Sequence, residues 1–368
     1  MTMLTPNAPF STGQNRAGQD RAGQNRSGPD RAPSPTPPMR RIPDRTDAPL
    51  TALLKSWEAL LLLLAAAIFT ANSFASPYFL DVWNLSDATF NFTEKAIVAL
   101  ALAFVILAGE IDISVAGIIA LSSTLMGATA AAGQPMPVVV GVGLLTGLAC
   151  GAVNGLLVTG LELPSIVATI GTMSLFRGLA YGILGDGAYT RYPEGFAYFG
   201  QGYVWEWLSF EVTVFLGLAL LAGFLLHRTS LGRAVRAIGH NPTAAAFSGL
   251  KVRRIKFWLF AATGLAAGVA SVMLTSRLGS TRPSIATGWE LEIVTMVVLG
   301  GVAITGGVGT IPGVVLAALV MGLLTFGLGL LNVSGIIMSI VVGVMLIAVI
   351  ALPVLARKLS NRMRRTTP

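Results

Sequence analysis

The stretch that decides the topology of this chain runs from His227 to Lys256 and reads HRTSLGRAVRAIGHNPTAAAFSGLKVRRIK. It is a basic, amphipathic island between two strongly apolar segments, and it carries seven Lys and Arg residues from Arg228 onward. Apolar segments on both sides of a basic island indicate a membrane protein whose loop emerges on the cytoplasmic side. We expect a partner to dock onto such a loop.

The composition around this island predicts an all-α polytopic membrane protein. The chain has 368 residues, of which 54% are hydrophobic and only 11% are charged, whereas soluble domains carry about 25% charged residues. Strand alternation is absent, which argues against a barrel. About ten windows approach the roughly 20 apolar residues that a transmembrane helix needs. They lie at about 53–73, 95–109, 112–132, 137–160, 165–185, 208–227, 255–276, 291–304, 308–331 and 335–353.

The composition also divides the chain into three parts. Residues 1–49 are hydrophilic and repeat a five-residue pattern, GQNRA, GQDRA, GQNRS and GPDRA, which is typical of a disordered tail. Residues 50–355 form the predicted membrane domain, in which 228–254 is the basic loop. Residues 356–368 form a short basic tail.

The distribution of Lys and Arg predicts the orientation. Eight lie from Arg16 to Lys55, seven in the central loop and five from Arg357 to Arg365, and ten spans would put all three groups, with both termini, in the cytoplasm. The opposite side would receive the acidic residues Asp81, Asp87, Glu94, Asp186, Glu194, Glu206, Glu211, Glu290 and Glu292. The net charge of +8 is therefore explained by membrane topology, and we predict no nucleic-acid partner.

Glycines inside the apolar windows favour close helix packing. Gly147, Gly151 and Gly155 form a ladder of small residues at four-residue spacing, which lets two helices approach closely in lipid. The segment Gly300–Gly313 looks at first like a phosphate loop, but no lysine in the chain follows a glycine. We interpret it as a break in a membrane helix. No catalytic motif is present either, so we predict no enzyme activity, no cofactor and no metal site.

Charged residues at membrane depth are rare and are often functional. The candidates are Glu110, Asp112, Glu162 and Arg177. Each also has a structural interpretation: Asp112 and Ser114 can cap a helix, Glu162 can lie in a short turn, and Arg177 can pair with a carboxylate such as Asp186.

Four blocks, in order, resemble the permease subunits of bacterial ABC importers for sugars, the ribose, autoinducer-2 and L-rhamnose type. They are AGEIDISVAGIIALSS at 108–123, NGLLVTGLELPSIVATIGTMSLFRGLAYGI at 154–183, TSLGRAVRAIGHNPTAAAFSGLKV at 229–252 and VVLGGVAITGGVGTIPGVVLAALVMGLL at 297–324. Glu110, where the family more often has Gly, and the long N-terminal tail depart from the pattern. The EIDIS and MSLFRG forms, with GQGYVWEW at 200–207, look most like the rhamnose permeases.

The resemblance implies that the loop after the sixth span docks onto a separate ABC ATPase subunit. Locally, Asn241 is a predicted helix cap, Pro242 suits the first helical position and Gly249 ends a short helix on which Phe247 is the one large apolar anchor. The predicted coupling residues are Gly232, Arg233, Arg236, Gly239, Asn241, Pro242, Ala245, Phe247, Ser248 and Gly249. Arg253 and Arg254 would flank the same surface.

The resemblance further implies a sugar pathway between two permease subunits, alike or different, fed by a periplasmic sugar-binding protein. Small and hydroxylated residues suit such a pathway, because a site that must release its cargo cannot bind it tightly. The predicted lining residues are Asn154, Ser165, Thr169, Thr172 and Asn332, and the motif residues with a structural role are Glu110, Asp112, Ser114, Arg177, Gly306, Gly307 and Gly309.

Three other functions remain open from the sequence. A branched-chain amino-acid ABC permease would share the architecture. A secondary transporter or channel would work without nucleotide, and a membrane scaffold would move no substrate. In each case the chain would be a multi-pass protein of the bacterial inner membrane.

Overall fold

A computed structural model describes residues 56–90, 92–345, 347, 348 and 351. The predicted tails at 1–49 and 356–368 lie outside these residues. The helices are α1 Trp57–Ala75, α2 Val82–Phe90, α3 Thr93–Leu107, α4 Val115–Ala131, α5 Met136–Thr159, α6 Ser165–Leu184, α7 Tyr198–Gln201, α8 Phe210–Arg228, α9 Ser230–His240, α10 Pro242–Phe247, α11 Val252–Leu278, α12 Trp289–Leu299, α13 Ile311–Leu330 and α14 Gly335–Met345. A two-stranded antiparallel ribbon joins β1 Tyr203–Trp205 to β2 Leu208–Ser209.

The all-α fold is confirmed, whereas the count of ten spans is not. A helix lies at the place of every predicted span, but within the described residues only six are long and apolar enough to cross a membrane. These six are α1, α5, α6, α8, α11 and α13. The pair α2 and α3, bent by 48°, would make a seventh. Helices α4 and α12, with 17 and 11 residues, are too short for a straight crossing of a ~30 Å core. Helix α14 is described over Gly335–Met345.

The glycine ladder packs the core of the subunit, as predicted. Gly147, Gly151 and Gly155 of α5 face α11, where they meet Gly264, Gly268 and Phe257. A methyl group added to Gly151 would lie 2.8 Å from the Cα of Gly264, so no side chain fits between the two helices. Apolar helices gain little hydrophobic free energy by associating in lipid, so the van der Waals attraction of this close backbone contact stabilises the pair instead. It makes α11, with 27 residues the longest helix of the described chain, the central element of the fold.

Contacts between loops define two opposite faces of the subunit. On one face, which we name the basic face, Trp57 donates to the Leu299 carbonyl at 2.7 Å and Thr310 donates to Glu58 at 2.7 Å. The loop from α8 to α11 lies on the same face, since His227 contacts the start of α13. The opposite, acidic face joins Arg277 to Glu94 at 2.7 Å and Ser86 to the Trp207 carbonyl at 2.8 Å.

Four of the nine acidic residues assigned to this face, Glu94, Glu211, Glu290 and Glu292, are buried or half-buried. Glu94 and Glu211 are fully buried, and Glu292 is held by Lys95 at 2.5 Å. They sit in the first turns of α3, α8 and α12, where their carboxylates point into the helix bundle rather than outward. The acids that remain exposed on this face are Asp81, Asp87, Asp186, Glu194 and Glu206.

Candidate functional site

The basic loop folds into two short helices joined at a single capped turn. Asn241 leaves the helical conformation, and its side chain accepts a hydrogen bond from the Ala244 amide at 2.9 Å. Pro242 then opens α10, since its fixed φ suits the first helical position. Gly249 takes φ +84°, a left-handed conformation that favours glycine, and the chain turns into α11. The predicted cap, first helical residue and helix end are all confirmed.

Phe247 is the most prominent apolar side chain of this loop. It is 89% exposed, whereas Ala245 on the other side of α10 is buried. Ser248 closes the helix by donating to the Ala244 carbonyl at 3.0 Å. Arg233 is exposed on the neighbouring helix α9. A large aromatic ring at the tip of a charged loop is typical of a docking anchor.

Helix α9 contacts two Gly-rich breaks between helices, one at 108–114 after α3 and one at 300–310 before α13. Gly109, Gly239 of α9 and Gly306 meet there, and we name this the three-glycine contact. A methyl group added to Gly306 would lie 2.9 Å from the Cα of Gly109 and 3.1 Å from that of Gly239. The Gly307 amide also donates to the Leu107 carbonyl at 2.9 Å. Three backbone segments therefore touch without intervening side chains, which explains why these positions are glycine.

Arg236 contacts the subunit itself. Its guanidinium donates to the Gly309 carbonyl at 3.4 Å and lies 3.3 Å from His227 Nδ1. His240 is held by the Arg236 carbonyl at 2.8 Å and lies against Gly307. Of the two α9 arginines predicted to flank the docking surface, only Arg233 is fully exposed, while Arg236 ties α9 to the break before α13.

Two ion pairs anchor the start of α11. Lys256 pairs with Glu110, and both side chains are largely buried, at 15% and 17% exposure. Arg253 pairs with Glu162 on the exposed turn between α5 and α6. Glu110, the residue that departs from the resembled motif, therefore has a structural partner. Lys256 could not be identified as its partner from sequence, because the two residues are 146 positions apart.

Six of the twelve predicted pathway and motif residues come together in one buried polar cluster: Asp112, Ser114, Asn154, Ser165, Thr169 and Thr172. Asp112 accepts from the Ser114 amide at 2.9 Å and from its hydroxyl at 2.6 Å, and Ser114 accepts from Asn154 at 2.6 Å. Ser165 accepts from the Ile111 amide at 3.1 Å, and Thr169 donates to the Ser165 carbonyl at 2.8 Å.

This cluster lies inside the subunit. Asp112, Ser114, Asn154 and Thr169 are fully buried, and Ser165 and Thr172 nearly so. Asn332, in contrast, is exposed in a left-handed turn after α13, at the opposite end of the subunit. These contacts join α4, α5 and α6, and a lining role for the five residues stays a prediction.

Arg177 supports a loop. Its guanidinium donates to the carbonyls of Pro283 and Ile285, at 2.8 and 3.1 Å, and to the Thr287 hydroxyl at 3.0 Å. Among the described residues it forms no ion pair with Asp186. Arg177 of α6 therefore holds the connection between α11 and α12 in place.

A cavity of about 450 Å³ opens between α3, α12, α13 and α14 in the half of the subunit toward the acidic face. Lys95 and Glu292 form one wall, and Lys95 also lies 4.8 Å from the centre of the Trp289 ring. Thr325, Phe326, Met338 and Ser339 contribute polar and apolar groups to the other walls. The volume is within the range of small-molecule sites.

Comparison with known proteins places these features in a family. The family described as "Branched-chain amino acid transport system / permease component" matches residues 84–350. The ribose import permease protein RbsC of Bacillus subtilis is 36% identical over 284 residues, which cover 76% of this chain and 87% of that protein.

Two further relatives cover similar lengths. The L-arabinose ABC transporter permease protein AraH of Azospirillum brasilense is 34% identical over 79% of this chain and 87% of its own length. The autoinducer 2 import system permease protein LsrD of Salmonella typhimurium is 36% identical over 80% of this chain and 90% of its own. No solved structure matches the chain.

The membrane-length helices and these relatives together make the chain a multi-pass protein of the bacterial inner membrane. The match spans every described element from α3 to α14, including the capped loop and both Gly-rich breaks. The chain therefore belongs to the branched-chain amino acid transport system / permease component family.

Proposed function

We propose that this chain is the permease subunit of an ATP-driven sugar importer and that it forms half of a pathway for a monosaccharide. The relatives named for ribose, L-arabinose and autoinducer 2 import support this class of cargo. L-Rhamnose is the first cargo to test, because the EIDIS, MSLFRG and GQGYVWEW forms resemble rhamnose permeases. ATP hydrolysis belongs to a separate ATPase subunit, and a periplasmic binding protein delivers the sugar to the acidic face.

The exposed Phe247 at the tip of the capped helix α10 carries the proposal. A side chain of this size, 89% exposed beside Arg233, is suited to a pocket on an ATPase subunit. Force applied at α10 passes to α9 through the single turn at Asn241. Helix α9 contacts the end of α3 and the break before α13 directly through backbone atoms. A movement of α9 therefore has to move both of these segments as well.

The cavity beside Lys95 and Glu292 is suited to bind the sugar during import. A carboxylate and an ammonium group can accept from and donate to neighbouring sugar hydroxyls, and the mixed walls favour weak binding. A second permease, either a copy of this chain or a sister subunit, would complete the pathway.

A branched-chain amino-acid importer is the second candidate, and the name of the matched family favours it. The two candidates differ in cargo and share the coupling site. Uptake of labelled L-rhamnose, ribose and leucine into the same vesicles separates them.

The test of the proposal is uptake by the assembled importer in proteoliposomes. The chain, its ATPase subunit and its binding protein should take up labelled L-rhamnose only when ATP is present. Phe247→Asp should weaken association with the ATPase by roughly tenfold or more, since a central apolar anchor is worth ~2 kcal/mol or more.

Phe247→Leu and Thr243→Asp are the matched controls. The first keeps an apolar anchor, and the second adds the same charge at another exposed position of α10. Co-purification of the ATPase with Phe247→Asp at the wild-type level would contradict the coupling role. Uptake by the chain alone, driven by an ion gradient, would instead show a secondary transporter.

A further inference from the structure

A long apolar groove runs along the outside of the subunit between α3, α8 and α11. Its volume is about 760 Å³, and its walls are made of apolar side chains such as Leu100, Leu221, Trp258 and Leu265. The exposed fractions of Leu221, Trp258 and Leu265 are 52%, 57% and 39%, so their free sides face the surroundings of the subunit. In a membrane, these surroundings are lipid or another protein.

One end of this groove is basic. Lys251 and Arg254 line its mouth at the start of α11, and both are exposed. None of the described lining residues is acidic. The neighbouring basic residues of α11 are engaged elsewhere, because Arg253 pairs with Glu162 and Lys256 pairs with Glu110. Within the described residues, neither Lys251 nor Arg254 forms an ion pair.

The depth of the groove fits a lipid chain. Along α11 it extends from Arg254 to Val269, which is roughly 22 Å at 1.5 Å per residue. That is more than half of a ~30 Å hydrocarbon core. The acyl chain of a lipid whose headgroup lies at the basic mouth would therefore remain in the groove along the whole length of the groove.

The side chains of the groove differ from those of a helix contact. Where two helices of this protein pack closely, at Gly147, Gly151, Gly264 and Gly268, glycine lets the backbones touch. The groove instead presents Leu and Trp side chains around an open volume of about 760 Å³. A flexible acyl chain fills such an irregular space without a matching surface.

We propose that this groove binds an anionic phospholipid, with the phosphate at Lys251 and Arg254 and an acyl chain between α8 and α11. Basic pockets between membrane helices bind anionic headgroups. The lipid would lie directly beside the coupling loop, since Gly249 and Leu250 also line the mouth. The phospholipid would thereby stabilise the junction between α10 and α11.

Trp258 provides the measurement, because its ring lines the middle of the groove. The full chain is reconstituted in bilayers of phosphatidylcholine with a minor fraction of phosphatidylglycerol, and either lipid carries bromine atoms on its chains. Bromine quenches tryptophan at contact, and the difference between the wild type and Trp258→Phe isolates the emission of Trp258. We expect brominated phosphatidylglycerol to quench Trp258 several-fold more than its bulk fraction predicts.

Three variants locate the effect. Lys251→Gln with Arg254→Gln should reduce quenching to the bulk proportion, and Ala262→Phe, at an exposed position in the groove wall, should displace the chain and reduce it as well. Arg253→Gln, which removes the same charge one residue away, should retain the preference.

Two outcomes would overturn the proposal. Quenching in proportion to the bulk lipids in the wild type would mean ordinary boundary lipid. Absence of quenching by either lipid would mean that a second copy of the chain or another protein segment fills the groove. Both outcomes are read from the wild type and Trp258→Phe alone, so they do not depend on the folding of the groove variants.

Discussion

At the scale of single residues, glycine has two separable uses in this protein. Gly249 adopts a left-handed conformation at the end of α10. Gly239 is needed for a different reason, because neighbouring backbone atoms leave no room for a side chain. The second use is the more demanding one, since a methyl group on Gly239 would lie 3.0 Å from the Cα of Gly307 and closer still to the Leu107 carbonyl. Backbone atoms cannot move aside as the end of a flexible side chain can.

We expect Gly239→Ala to separate α9 from the two Gly-rich breaks. Overpacking of this kind costs about 1–3 kcal/mol, so the midpoint of thermal unfolding in detergent should fall. ATP-driven uptake should decrease more than ATPase association does, because docking at α10 is left intact. Gly141→Ala is the matched control: its added methyl group meets no atom within 4 Å. A Gly239→Ala protein as stable and active as Gly141→Ala would contradict the three-glycine contact.

At the scale of elements, the contact between α5 and α11 holds the bundle. Gly147 and Gly151 face Gly264 and Gly268 with no side chain between them. Helices in lipid gain from this close approach, which van der Waals contact and weak hydrogen bonds stabilise. The polar cluster of Asp112, Ser114 and Asn154 ties α4 to the same pair.

Gly264→Leu should therefore disrupt the fold where a similar change on an open surface does not. A leucine side chain there would run into the backbone of Gly151, whose Cα would lie 2.6 Å from an added methyl group. We expect loss of monodisperse protein in size-exclusion chromatography or a fall of the unfolding midpoint by several degrees. Gly223→Leu in α8, where an added methyl group meets no atom, should behave as the wild type. Equal behaviour of both variants would exclude the tight α5–α11 contact.

At the scale of the whole molecule, charge and loop contacts divide the surface into two faces. The basic face carries Phe247, and the acidic face carries the ribbon with Glu206. If the basic face is cytoplasmic, as Lys and Arg placement predicts, an impermeant reagent should distinguish the two.

A thiol reagent that does not cross membranes tests this orientation directly. The native Cys150 is buried and gives a low background. Glu206→Cys should react in intact spheroplasts, whereas Phe247→Cys should react only after the membrane is opened. The reverse pattern would place the coupling loop outside and would exclude its docking onto an ATPase.

The amino-acid sequence was sufficient to predict the class of the protein and its local structure. Apolar windows, the glycine ladder, the Asn241 cap and the Gly249 helix end depend on neighbours within a few residues or on composition, so each was predicted correctly. The count of ten spans is not confirmed within the described residues, because Gly-rich breaks at 108–114 and 300–310 shorten the helices beside them without changing the hydropathy of the window.

Which distant residues meet could be seen only in the folded chain. The burial of Glu94 and Glu211, the pair of Glu110 with Lys256 and the inward position of Arg236 all join segments far apart in the chain. Charge and spacing along a sequence cannot distinguish an exposed carboxylate from one that a helix start points into the bundle. The packing of α3, α8 and α11 made that distinction, because it brings Arg277 against Glu94 and closes the helix bundle over Glu211.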